Sequence, residues 1–130
     1  TDKLLGGNGA DLLDGGLLAD VMTGGADEDS FRFSTELGAG NIDRITDFTS
    51  GLDRIELDSA VFGLAAGKLG DLAFDATGGV GATADTRIIY DPATGSLSFD
   101  ADGSGDGAAV QFATLEANLE LDGNDLYVWG

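Results

Sequence analysis

Large apolar residues recur every nine positions at the start of the chain: Leu4, Leu13, Met22 and Phe31. Each stands two residues after an aspartate (Asp2, Asp11, Asp20, Asp29), and a glycine pair precedes each of the last three. Residues 6–32 therefore read in register as three units, GGNGADLLD, GGLLADVMT and GGADEDSFR. A fixed period outranks local propensity when a chain is parsed. The three residues after each Asp, with the apolar one turned inward, predict a short strand, and the glycine pairs predict turns between strands. A flexible glycine-rich linker is the competing reading, but a linker needs neither Asp nor apolar residues in register.

Beyond Phe31 the period loosens but the pattern continues. Phe31-Arg32-Phe33 alternates as a strand with one buried face. Asp43-Arg44-Ile45 and Asp53-Arg54-Ile55 repeat the order of Asp followed by an inward apolar residue, now without glycine pairs. Residues 58–67 predict one or two helical turns capped by Asp58 or Ser59, with Val61, Phe62 and Leu64 on the apolar side. Residues 87–90 and 96–99, joined by Asp91-Pro92-Ala93-Thr94-Gly95, predict a hairpin. Residues 109–112 read as a third antiparallel strand, 115–121 as a short helix, and 126–129 as a final strand. The expected fold class is all-β, with residues 1–57 and an antiparallel cap (58–130) packed as one domain.

Charge changes the picture. Against 24 acidic residues stand six basic ones, a net charge of −18, while 42% of residues are hydrophobic. Such a surface repels nucleic acid. The apolar content is too high for permanent disorder, so a chain that folds when counter-ions arrive satisfies both facts. With no Cys and no His, disulfides, thiolate chemistry and imidazole bases are excluded. No apolar run is long enough for a membrane span. The chain opens in mid-unit, so more repeats or another domain are expected upstream.

Oxygen is the chemistry on offer. Carboxylates at a nine-residue spacing, beside glycine turns that can aim carbonyls, describe a hard-cation site, and calcium accepts irregular oxygen shells more readily than magnesium. Position four of the unit is Gly9, then Leu18, then Asp27. A left-handed backbone there suits Gly, is tolerated by Asp, and costs Leu roughly 1–2 kcal/mol. Asp43 and Asp53 are open to two readings, cation ligands or surface ion pairs with Arg44 or Arg54. The run Asp100-Ala101-Asp102-Gly103-Ser104-Gly105-Asp106 imitates the start of an EF-hand loop, but Gln111 stands where the bidentate Glu belongs. It reads as a solvated hairpin loop or as a weak further calcium site through Asp100 and Asp102.

The units resemble the RTX nonapeptide repeat, G-G-x-G-x-D-x-U-x. Residues 43–57, with Asp43, Ile45, Asp47, Phe48, Gly51, Asp53, Ile55 and Leu57, are similar to the block that follows such repeats in serralysin-like, type I secreted proteins. The resemblance implies that residues 1–57 form a short parallel β-roll, that two units make one turn of this calcium-binding roll and that unit n shares ions with unit n+2. One implied site is Gly7, Gly9 and Asp11 with Gly24, Ala26 and Asp29. A second sets Asp2 with Gly15, Leu17 and Asp20. Further sites would place Asp43 over Asp20 and Asp53 over Asp29, with carbonyls from Gly16, Leu18, Gly25 and Asp27.

The function this implies is a calcium-binding module, unfolded inside the cell, that folds outside on about three to five calcium ions held with affinities of roughly 10⁻⁴–10⁻³ M. Its acidic and hydrophobic carboxyl end resembles an export signal, so the type I secretion machinery is an expected partner, as is an upstream catalytic or adhesive domain. No catalytic activity is expected of this chain itself. The alternative is an extracellular module that binds a carbohydrate or a surface.

Overall fold

The structure is a computed structural model describing residues 3–34, 39–49, 51–64, 66–69, 73–78, 86–100, 109–121 and 123–129. Asp2 and Asp102 lie outside the described residues, as does most of the 100–106 loop.

Each Asp-x-apolar segment forms a strand, and the chain alternates between two sheets as the period requires. Strands β1 (Lys3–Gly7), β3 (Val21–Gly25) and β5 (Asp43–Ile45) lie side by side and parallel in one sheet. Strands β2 (Leu12–Asp14), β4 (Ser30–Phe33) and β6 (Arg54–Asp58) do the same in the other. Position-eight residues stack in register across each sheet: Leu4, Met22 and Ile45 in one, Leu13, Phe31 and Ile55 in the other. Met22, Phe31 and Ile55 are fully buried. Burying each such side chain contributes roughly 1.5–3 kcal/mol, so the interior ladder is the main cohesive term of this half.

Asp58 accepts the Ala60 N–H as an N-cap and Gly63 ends the helix in the left-handed conformation, so α1 runs only Ser59–Phe62. Phe62 turns inward onto Phe99 and Phe112, edge to face. Short strands β7 (Gly67–Lys68) and β8 (Phe74–Asp75) follow. The predicted hairpin is β9 (Ile88–Tyr90) with β10 (Ser96–Phe99), and β11 (Val110–Thr114) pairs antiparallel with β10. Gly95 closes the hairpin turn with a left-handed backbone, donating its N–H to the Asp91 carbonyl.

Two features depart from expectation. Residues 115–121 form no helix: Asn118 is left-handed, its N–H goes to the Pro92 carbonyl, and the Leu119 N–H goes to the Tyr90 hydroxyl. The cap is also not purely antiparallel. β11 runs parallel to β5, and β12 (Leu126–Trp129) runs parallel to β6 while pairing antiparallel with β7. Each sheet of the roll is therefore continued by one parallel strand, β11 or β12, with the other cap strands beyond it. The sheet orders are β1-β3-β5-β11-β10-β9-β8 and β2-β4-β6-β12-β7. One cluster of buried side chains draws on both halves of the chain.

Candidate functional site: stacked aspartate ladders

The backbone at positions two and four of every unit is left-handed. The residues are Gly7 and Gly9, Gly16 and Leu18, and Gly25 and Asp27, with φ between 74° and 97°. This geometry folds the six residues before each strand into a tight loop that returns the Asp beneath its own glycine pair. The position-one glycine is needed for space. A Cβ on Gly6 would lie 2.5 Å from the Gly24 carbonyl oxygen and 2.7 Å from Asp11 Oδ2. A Cβ on Gly24 would overlap the Asp29 carboxylate.

Stacking the loops builds ladders. The Asp11 N–H donates to Asp29 Oδ1 at 2.9 Å, and the Asp29 N–H donates to Asp53 Oδ1 at 3.0 Å. On the other side the Asp20 N–H donates to Asp43 Oδ1 at 2.8 Å. These contacts place Asp29 over Asp11, Asp53 over Asp29, and Asp43 over Asp20. Asp20, Asp29, Asp43 and Asp53 are all buried. The surface ion-pair reading of Asp43 and Asp53 does not match this burial, and Arg54 pairs instead with Glu28 at 3.2 Å.

Electrostatically the ladders are costly. Asp11 Oδ2 and Asp29 Oδ2 are buried and accept no hydrogen bond. Asp20 Oδ2 and Asp43 Oδ2 converge at Gly15, where a Cβ would meet them at 2.9 and 3.0 Å. Burial, with the neighbouring Asp20 charge, pushes the Asp43 carboxyl up to about 6 although the Asp20 N–H opposes the shift. Burial likewise raises Asp29 against the Asp11 N–H, and Asp53 against the N–H groups of Asp29 and Thr49. A buried, incompletely bonded carboxylate calls for a proton or a cation.

The donor set fits a hard divalent ion. Gly24 carbonyl oxygen and Asp11 Oδ2, two ligands implied by the repeat pattern, face the same point above Gly6. The Gly7 carbonyl, also implied, accepts the Ala26 N–H at 3.1 Å. Among the described residues no three Asp, Glu, His or Cys side chains group as a metal centre. Leu17 and Leu18 are exposed in their loop, Gly9, Gly15, Gly16 and Ala26 lie in the loops beside the ladders, and Gly25 ends β3. Asp100 is buried with its N–H on the Arg87 carbonyl.

Two carboxylates and one amide act in ways the repeat pattern does not assign. Asp47 accepts the N–H groups of Gly24 and Gly25 at 2.9 and 2.7 Å. Asp27 Oδ2 accepts the Gly9 N–H, and Asn41 Oδ1 accepts the Leu18 N–H. A signal for two of these was present. Laying Asp43 over Asp20, an offset of 23 residues, also lays Asn41 over Leu18, Thr46 over Thr23 and Asp47 over Gly24. Thr23 and Thr46 hydroxyls meet at 2.6 Å.

No family model matches the chain, and no curated protein matches it. The fold and site define a class by themselves: an all-β protein whose stacked loops bury rows of aspartate.

Proposed function

We propose that the chain is a calcium-binding module of the RTX kind, completed by calcium outside the cell and serving as the exported carboxyl-terminal part of a larger secreted protein. The observation that carries this reading is the pair of buried, unbonded carboxylate oxygens on Asp11 and Asp29 within loops of repeated left-handed geometry. Asp11 and Asp29, with the Gly24 carbonyl, would hold one ion; Asp20 and Asp43 would hold another. Bound calcium supplies charge neutralisation, and the chain's own part is to present oxygens at fixed spacing and to exclude water from them. At low calcium the same carboxylates repel one another, which opens the stacked loops of the roll.

The test is a calcium titration of chelator-treated protein followed by far-UV circular dichroism, with magnesium as control. A cooperative gain of β signal near millimolar calcium, absent with magnesium, is the expected result. An unchanged spectrum and melting temperature would refute the reading.

Carbohydrate or surface binding is a second reading, favoured by one observation. Tyr127 and Trp129 alternate with the buried residues of β12, outside the core, beside Arg32, Arg54 and Lys68. Each ring already carries a stacked cation, Arg32 at 4.2 Å from Trp129 and Arg54 at 4.6 Å from Tyr127, so cross-strand cohesion accounts for the row equally well.

A further inference from the structure

The ladders do not end as they begin. Asp53 accepts the Asp29 N–H on Oδ1 and the Thr49 N–H on Oδ2, at 3.0 and 2.8 Å, so both of its oxygens are engaged. Thr49 in turn accepts the N–H groups of Leu52 and Asp53 through its carbonyl. The Gly51 N–H, where φ is 84°, donates to Asp125 Oδ1 at the foot of β12. Asp47 spends both oxygens on Gly24 and Gly25. Asp11 and Asp29, by contrast, each keep a buried oxygen without a hydrogen bond.

Building on the calcium reading above, we infer that the last station of the roll is closed by backbone hydrogen bonds in place of a cation: Asp53 is a plug, not a ligand, and calcium dependence is confined to the first five strands. The two N–H groups offset part of the cost of burying this charge. They also hold both Asp53 oxygens turned toward the backbone of residues 29 and 49. Packing points the same way. Of the 18 buried apolar residues among those described, only Leu13, Met22, Phe31, Phe33 and Ile45 come from β1–β5. The other 13 lie in residues 48–128 and make up most of the single buried cluster.

Hydrogen–deuterium exchange of the unmodified protein, in chelator and in millimolar calcium chloride, tests this directly. The expected result is that residues 3–33 and 43–45 exchange rapidly in chelator and become protected in calcium, while residues 54–62, 88–99 and 110–129 stay protected in both. Loss of protection in all segments together would overturn the inference and leave the calcium reading standing. Identical exchange in chelator and calcium would overturn both. Calcium titrations of two variants add a second arm. Asp29→Asn should raise the calcium midpoint at least about tenfold. Asp53→Asn should lower the melting temperature equally with and without calcium and shift the midpoint by less than about twofold. A shift for Asp53→Asn as large as that for Asp29→Asn would show Asp53 to be a ligand and sink the plug.

Discussion

Leu18 occupies a backbone conformation that the repeat reserves for glycine, with φ at 75°, and its side chain is 56% exposed. It therefore carries the left-handed penalty with little burial to offset it. Leu18→Gly should stabilise the protein by about 0.5–1 kcal/mol, the strain relieved less the extra freedom glycine gains when unfolded; chemical denaturation in calcium would measure it. Gly24 presents the opposite case, since its Cα is covered by the Asp29 carboxylate. Gly24→Ala should cost about 1–3 kcal/mol and weaken calcium binding, because the carboxylate must move. Gly40, with open space around its Cα, is the control: Gly40→Ala should stay within about 0.5 kcal/mol. Both special glycine positions were legible as spacing. The collision that makes Gly24 indispensable was not, because it depends on where the Asp five residues later returns.

At the scale of elements, stacked loops couple stability to pH. The Asp43 carboxyl titrates near 6 in the folded protein against 3.8 for the free side chain, and Asp29 and Asp53 are also raised. A carboxylate with a raised folded value binds more protons folded than unfolded between those two pH values. Its contribution is fully present below pH 3.8 and lost as pH rises through about 6. In chelator, thermal melts should therefore give a higher melting temperature at pH 4.5 than at pH 7. In calcium the trend should reverse, because the cation binds the ionised form. The hairpin shows how an element can be overridden. Leu115 to Leu121 has helical composition, yet its backbone groups are claimed by Gly95, Pro92 and the Tyr90 hydroxyl, which also donates to the Glu116 carbonyl. Tyr90→Phe should cost about 1–3 kcal/mol in denaturant melts, since it strands two partners, and should leave the calcium midpoint unchanged.

For the whole molecule, the deciding event is the return of the carboxyl terminus to the roll. Leu126 and Val128 stack on Ile55 and Leu57, while the outward row of Arg32, Glu56 and Trp129 is tied by a 2.7 Å ion pair and a stacked guanidinium. Deleting residues 126–130 would expose β6 and remove two buried side chains worth roughly 1.5–3 kcal/mol each. With a net charge of −18 also opposing compaction, that loss should prevent folding even at millimolar calcium, as read by circular dichroism. Folding of the truncated chain to the full signal would contradict this view of β12.

The nine-residue period by itself determined the strands of the first half, their inward residues, the left-handed positions and the row of aspartates, because all of these follow from local geometry repeated at a fixed interval. Asp58 and the 87–99 hairpin were legible for the same reason: each is settled by neighbours in sequence. Tertiary structure alone decided that β11 and β12 extend the roll in parallel, that residues 115–121 give up a helix, and that Asp53 meets Thr49 and Asp29 together. Those outcomes rest on partners 4 to 74 residues apart, such as Thr49 with Asp53 and Gly51 with Asp125. A buried N–H or carboxylate takes whichever partner the packed chain brings within reach, and no local pattern records that choice.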